Sequence, residues 1–440
     1  MRDKDLKIGL IGNLNNNNFS LLRYLRDLGF DAHLLLYEND GRDGMEHFAI
    51  DCDTWRVDQW LPYIQRLPFS NEPLAAAPFL FATMGAVRGV IRYWMGVQRG
   101  WSMPITTGAL KKEFDPFTIL IGSGIAPALL KRIDRSLDIY YPYSPEIEFY
   151  KAGWFLRQIH KATWISGKVL KLVQRRQALG IQAAKIVLNS EPGPTQQHFV
   201  DLAIKPVTLA VPMVYVEPEP RIEQRSAMLN KVLENISTRS DFKIMHHSRL
   251  MWSNDEQMPD GEWQKENKNS DWLFRAVAKI KEQKLTREIR IYLVAYGPDV
   301  NATMGLIEAL GISDSVQVLP KMPRKEILVL MKKMDLACGE FYSPEKRIWG
   351  GTGWEAMASG TALLQGFNFE DGEFESIFGY PDPPLLKVRN QEELEGHLIR
   401  CLNSEFDFEQ LGKESQKWFM ENNGQGLARR WIEALISRQS

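Results

Sequence analysis

Residues 334–366 hold the groups best suited to chemistry. A short apolar strand, Met334 to Cys338, leads through Gly350-Gly351-Thr352-Gly353 into a helix beginning Trp354-Glu355-Ala356-Met357-Ala358-Ser359-Gly360. Amides at a helix start carry the positive end of the dipole and favour an anion. A carboxylate one turn in, Glu355, can hold vicinal hydroxyls. In outline this is a site for a nucleotide sugar. The run Thr352-Gly353-Trp354-Glu355 also reads as a capping box, in which Glu355 bonds the amide of its own N-cap. On the motif alone both readings stand.

The surrounding elements must position this turn. Phe242 to Leu250 reads as a buried strand ending in polar residues, and Lys268 to Ala276 opens an amphipathic helix. A strand and turn at Ile289 to Pro298, a helix at 302–311, a strand at 316–319 and a helix at 324–334 follow. This alternation predicts βαβ units and a parallel sheet. Between them, Trp252 to Asn267 is rich in Asn, Asp, Glu and Gln and reads as a surface loop.

The run Glu355 to Thr361 resembles the second half of the E-x7-E signature of retaining GT-B glycosyltransferases, family 4 or glycosyl transferases group 1. About residues 242 to 366 follow that family's order of elements. The resemblance implies an α/β protein of GT-B architecture, two Rossmann-like doubly wound domains facing a central cleft. In the family this glutamate holds the donor's ribose, so Glu355, with the amides of Gly351, Thr352 and Gly353, becomes the expected donor-binding set. An arginine after the first strand of that domain and a lysine before its helix clamp the donor diphosphate; Arg249 and Lys268 stand in those places and are the expected catalytic groups. Arginine offers a planar fork to two phosphate oxygens, lysine a point charge. Either residue taken singly also reads as a solvated surface cation.

There is one departure from the pattern. Eight residues before Glu355, where the family's first glutamate contacts the transferred sugar, this chain has Arg347, with Glu340 and Glu345 nearby. The implied function is retaining transfer of a hexosyl group from a nucleoside diphosphate sugar to an acceptor hydroxyl, such as that of a lipid-linked or cell-surface glycan precursor. The cations take the place of a metal, and no cofactor is expected. Arg347 motivates an alternative, a catalytically degenerate GT-B protein acting in membrane-associated assembly or binding.

The first half opens with a strand and turn, Lys7 to Asn13, a helix from Phe19 to Leu28 ended by Gly29, and a strand from Ala32 to Leu36. This is the opening of a doubly wound domain, and the missing G-x-G-x-x-G argues against a dinucleotide enzyme. In the GT-B pattern the loop after the first strand faces the cleft, so Gly12 and Asn13 are candidate contacts to phosphate or acceptor. Equally, Asn15 to Asn18 read as a turn tolerating left-handed geometry. Further strands are expected at 118–122, 138–143 and 185–191. Where the family often has a histidine base, Tyr143 and Glu146 are the candidates, while His246 and His247 read as structural strand-end residues. Three prolines within Val211 to Pro220 mark an extended linker. The expected domains are therefore 1–212 for the acceptor, 213–423 for the nucleotide sugar, and 424–440, a helix at Leu427 to Ile436 packing back toward the first.

With 440 residues, 44% of them hydrophobic, the chain can bury the cores of two or three domains. Three widely spaced cysteines indicate neither a disulfide framework nor a zinc site. The N-terminus passes into a strand without the apolar core of a signal peptide, which predicts a cytoplasmic protein. Net charge is −1, yet residues 1–212 hold 25 Lys and Arg against 20 Asp and Glu, and the remainder 29 against 35. Within the basic half, residues 74–101 are apolar and aromatic, with Arg88, Arg92 and Arg99 on one helical sector. Residues 149–190 have no acidic residue but eight cations with interleaved aromatics. Both patterns fit peripheral contact with the cytoplasmic face of a membrane, and both also fit helices packed on the fold with snorkelling or solvated cations. The uninterrupted apolar stretch, Leu74 to Val87, contains Pro78 and is shorter than the roughly 20 residues that span a bilayer. No nucleic-acid-binding module is recognisable.

Overall fold

A computed structural model describes residues 6–42, 48–50, 54–71, 76, 105–142, 164–189, 196–218, 220–236, 241–253, 267–283, 287–342, 346 and 348–437. The chain divides into two compact units, Met1–Asp51 with Arg56–Tyr215 and Asn423–Ser440, and Cys52–Trp55 with Val216–Asn422. The chain thus changes unit after Tyr215, three residues beyond the boundary read from the prolines.

In the first unit the strands are β1 (Lys7–Ile11), β2 (Asp31–Leu36), β3 (Ile64–Arg66), β4 (Ile119–Gly122), β5 (Ile139–Tyr140), β6 (Ile186–Asn189) and β7 (Val207–Thr208). They form one parallel sheet in the order β3-β2-β1-β4-β5-β6-β7. Helices α1 (Asn17–Asp27), α2 (Thr107–Phe114), α3 (Ala126–Leu130), α4 (Trp164–Gln182) and α5 (Gln196–Asp201) connect them. β4 and β6 are buried at every residue, as expected of strands covered on both faces, whose sequences read as continuous apolar runs rather than alternation. β5 is two residues long, where a strand to Tyr143 was expected.

The second unit has β8 (Phe242–His246), β9 (Ile289–Val294), β10 (Val316–Leu319), β11 (Leu336–Cys338), β12 (Leu363–Gly366) and β13 (Leu386–Val388). They are parallel in the order β10-β9-β8-β11-β12-β13. Its helices are α6 (Ala227–Ile236), α7 (Asp271–Glu282), α8 (Val300–Ala309), α9 (Arg324–Met331), α10 (Gly351–Ser359), α11 (Glu373–Phe378), α12 (Gln391–Leu402) and α13 (Phe408–Asn422). Leu273, Phe274, Val277 and Ile280 of α7 pack with Ile244, Ile291, Leu336 and Leu364 of the strands. That helical spacing against near-continuous strand apolarity is what buries the sheet. β8 stops at His246, four residues before the end read from the sequence, which frees His247 to Leu250 as a loop.

The last helix, α14 (Gln425–Ser437), belongs to the first unit. It buries Leu427, Ala428, Trp431, Ile432 and Leu435. The Trp431 indole donates to the Ala210 carbonyl at 3.1 Å, and its ring meets Tyr141 at 5.3 Å. Among the described residues no helix is long and apolar enough to cross a membrane. Arg88, Arg92, Arg99, Tyr143, Glu146, Glu345 and Arg347 lie outside the described residues.

Candidate functional site

In an open parallel sheet, ligands collect beyond the carboxyl ends of the strands at the point where the strand order reverses. In the second unit that point lies between β8 and β11. The loop after β8 supplies His247, Ser248 and Arg249, and the residue three before α7 is Lys268. The loop after β11 supplies Glu340 and the glycine turn, and Tyr296 follows β9.

Two glycines of that turn, Gly350 and Gly353, are required by close approach. A Cβ on Gly353 would stand 2.3 Å from the Trp349 ring, and one on Gly350 2.9 Å from a Glu340 carboxylate oxygen. The turn is therefore pressed between a tryptophan and a carboxylate. Trp349 and Trp354 lie 4.7 Å apart, and Trp354 stacks on Trp418, so aromatic packing fixes the direction in which α10 starts. Gly350 is the N-cap of α10 and, being glycine, offers no side chain to the first amides of the helix. Across the site, Gly297 has a φ of +117° and approaches the Leu250 carbonyl so closely that a Cβ would stand 2.4 Å from it.

Glu355 does not cap its own helix, so the capping-box reading fails. Its carboxylate is buried, accepting from Arg324 Nε at 2.6 Å and lying 2.7 Å from His247 Nε2. Burial works to raise this carboxyl, but the charge of Arg324 and the bond to His247 outweigh it and hold the group below the ordinary carboxylate value. Glu355 is thus an anion with lone pairs left for hydroxyl donors. The second carboxylate, Glu340, is also buried. It pairs with the Lys268 ammonium and accepts from the Gly350 amide at 3.2 Å. Tyr296 feels the same charges: burial first, then Glu355 and Glu340, push its hydroxyl up to about 12, against Arg249 and Arg324. Arg249 is exposed beside Gly297, and its charge reaches Tyr296.

His246 and His247 part company. His246 is fully buried, and burial, aided by His247 and Lys268, lowers it to about 4, so it stays neutral as a strand-end residue. His247 joins the Glu355 network instead. Among the described residues no group of three or more His, Cys, Asp or Glu side chains is placed to hold a metal ion.

The corresponding point of the first unit, between β1 and β4, is built differently. Gly12 has a φ of +78°. Asn13 is fully buried: its oxygen accepts from the Phe19 amide at 2.9 Å, and its nitrogen donates to the Phe48 carbonyl at 3.0 Å. Asn18 donates to the Ile11 and Gly12 carbonyls and accepts from the Tyr141 hydroxyl at 2.6 Å. Asn15 and Asn16 take positive φ values of 49° and 65°, the left-handed turn that the asparagine run allowed. Asn13 therefore spends its side chain on shaping the loop.

The structure thus brings Arg249, Lys268, Gly351, Thr352, Gly353 and Glu355 to one switch point, and places Gly12 and Asn13 at another. Arg324, Tyr296 and the Glu340 pairing were missed. Arg324 left a signal: a cation opening a helix opposes the dipole, so it needs an outside partner, which Glu355 is.

Residues 264–418, all within the second unit, match the family described as Glycosyl transferases group 1. No curated protein matches the chain in sequence. Among solved structures, HepE of Anabaena in complex with UDP is similar with a TM-score of 0.55 at 13% identity, covering 98% of this chain and all of that one. A glycosyltransferase from Rickettsia africae gives 0.53 at 14% identity, covering 98% and 97%. TarM of S. aureus gives 0.52 at 9% identity, covering 98% and 99%. At such identities the likeness establishes the fold, which is GT-B.

Proposed function

We propose that this chain is a retaining, metal-independent glycosyltransferase that transfers a hexosyl group from a nucleoside diphosphate sugar to an acceptor hydroxyl. The observation that carries the reading is the meeting of Arg249, Lys268, the uncapped start of α10 and an ionised Glu355 at one strand-order reversal. Departure of the diphosphate builds negative charge on its oxygens. Arg249, Lys268 and the amides of Gly351 to Gly353 stabilise that charge in a partly water-excluded setting. Glu355, held by Arg324 and His247, orients the ribose. HepE, of the same fold, is described in complex with UDP and with UDP-glucose, which supports a nucleoside diphosphate sugar as donor. The first unit takes the acceptor, with Gly12 at its own switch point, and Tyr143 and Glu146 as the candidates for the base. Incubation with radiolabelled UDP-, GDP- and ADP-sugars tests this: turnover of one of them is expected, and failure of all to bind overturns it.

The alternative of a non-catalytic GT-B binding or assembly protein is favoured by Arg347 in the family's glutamate position and by Lys268 being held by Glu340. Donor binding without transfer or hydrolysis selects it.

Location on the cytoplasmic face of a membrane is part of the proposal, the acceptor being a lipid-linked or surface glycan precursor. It is supported by α4, where Lys168, Lys171 and Arg175 are exposed beside Leu172 and Leu179, themselves 37% and 41% exposed. Cations flanking exposed leucines fit an anionic leaflet, at about 1 kcal/mol per cation. Lys168→Glu, Lys171→Glu and Arg175→Glu combined are expected to abolish sedimentation with anionic vesicles; unchanged sedimentation refutes the α4 surface.

A further inference from the structure

We propose that Glu340 is a built-in counter-anion seated where the donor's diphosphate must go, so that its exchange for phosphate on Lys268 sets the affinity of the site; this rests on the nucleotide-sugar reading above. The partners of Glu340 are the ones a phosphate seeks. Its carboxylate takes the Lys268 ammonium and the Gly350 amide next to the uncapped start of α10. A buried carboxylate is tolerable only while so paired.

The charges at the site explain why an exchange is needed. Arg324 is committed to Glu355 and Lys268 to Glu340, and among the described residues Arg249 has no carboxylate partner. A diphosphate brings at least two negative charges, more than Arg249 can match. Lys268 must therefore change partners when the donor binds, and the cost of unseating Glu340 is subtracted from the donor's affinity.

The surroundings permit that exchange without moving the backbone. Lys268 is held by its amide on the Met251 carbonyl at 2.8 Å and by its carbonyl under the Phe341 amide at 3.1 Å. Glu340 is held by Gln365, whose side chain accepts from the Glu340 amide at 3.2 Å and donates to the Glu340 carbonyl, and by the Gly366 amide on that carbonyl at 2.9 Å. With both main chains pinned, rotation of the Glu340 side chain suffices. The Tyr342 ring, its centroid 5.9 Å from the Lys268 ammonium, offers the cation a second contact while the carboxylate is away.

Calorimetry on the full chain with UDP, GDP, ADP, their glucose conjugates and inorganic pyrophosphate decides the matter. Glu340→Gln keeps an acceptor for Gly350 and releases Lys268, and is expected to bind diphosphate about tenfold more tightly than the parent. Lys268→Met is expected to weaken binding about threefold or less in the parent but at least about tenfold in the Glu340→Gln background. If the parent binds a nucleoside diphosphate and Glu340→Gln binds it equally or less tightly, the counter-anion role falls and the donor reading stands. If Glu340→Gln loses affinity for the nucleotide sugar alone, Glu340 is a sugar contact and the proposal is wrong. If no form of the protein binds any probe, the donor reading falls and takes this proposal with it. Should Glu340→Gln melt early, Glu340→Asp, with its shorter reach to Lys268, is to show an intermediate gain; no gain overturns the exchange.

Discussion

The two units repeat one strand order around the reversal, third-second-first-fourth-fifth-sixth, but fill the reversal with opposite materials. In the first, neutral asparagines spend their side chains on their own backbone and on Tyr141. In the second, cations and carboxylates face one another around an uncapped helix. Topology therefore places a site without deciding its chemistry, and the side chains after the first strand of each sheet decide it. Asparagine builds a rigid loop; paired charges store electrostatic potential that an anionic ligand can draw on.

The largest blow to this contrast is Arg324→Met. It strips the buried Glu355 of its cation and leaves His247 alone to compensate, so the second unit is expected to lose about 3 kcal/mol of stability. Denaturant unfolding checks it, and a loss under about 1 kcal/mol means that Glu355 never depended on Arg324. Next, Arg249→Ala removes the exposed cation proposed to hold phosphate. Affinity for a nucleoside diphosphate should fall about tenfold to a hundredfold, with the melting temperature unchanged; equal affinity in calorimetry removes Arg249 from the site.

Asn13→Ala sharpens the comparison from the other side. It leaves the Phe19 amide and the Phe48 carbonyl without their partner and is expected to cost about 2 kcal/mol of stability while diphosphate affinity stays constant. Weakened nucleotide binding at unchanged stability makes the first switch point part of the donor site.

The effect on pH dependence is spread over several pH units, and its sign differs between the units. His246 is lowered from 6.5 to about 4 on folding, so its neutral form stabilises the second unit fully above pH 6.5, and that contribution drains away as pH falls toward 4. Asp40 in the first unit is raised by burial from 3.8 to about 7; its contribution is present below 3.8 and lost as pH rises toward 7. Each slope is at most about 1.4 kcal/mol per pH unit. Melting curves of His246→Gln and Asp40→Asn should flatten opposite limbs; identical limbs contradict the assignment.

Much of this was legible in the sequence because it is local. Apolar runs such as Ile119 to Ile121 and Ile186 to Leu188 mark buried parallel strands, and glycine before Trp354-Glu355 marks the start of α10. The placement of Arg249 after β8 and of Lys268 before α7 followed from a family's order of elements. The pairings were not legible, because they join residues far apart in the chain: Lys268 with Glu340, His247 and Arg324 with Glu355. The capping-box reading of Glu355 failed for the same reason, since a local rule competed with two distant partners and lost. Strand ends were overrun at His246 and Tyr140, where polar or aromatic residues continue the apolar pattern past the last ladder bond.

The most direct test is a crystal structure of the chain with UDP. The diphosphate is expected against Arg249, Lys268 and the amides of Gly351 to Gly353, with the ribose on Glu355. A nucleotide bound elsewhere, or one that leaves Arg249, Lys268 and the start of α10 untouched, contradicts this placement.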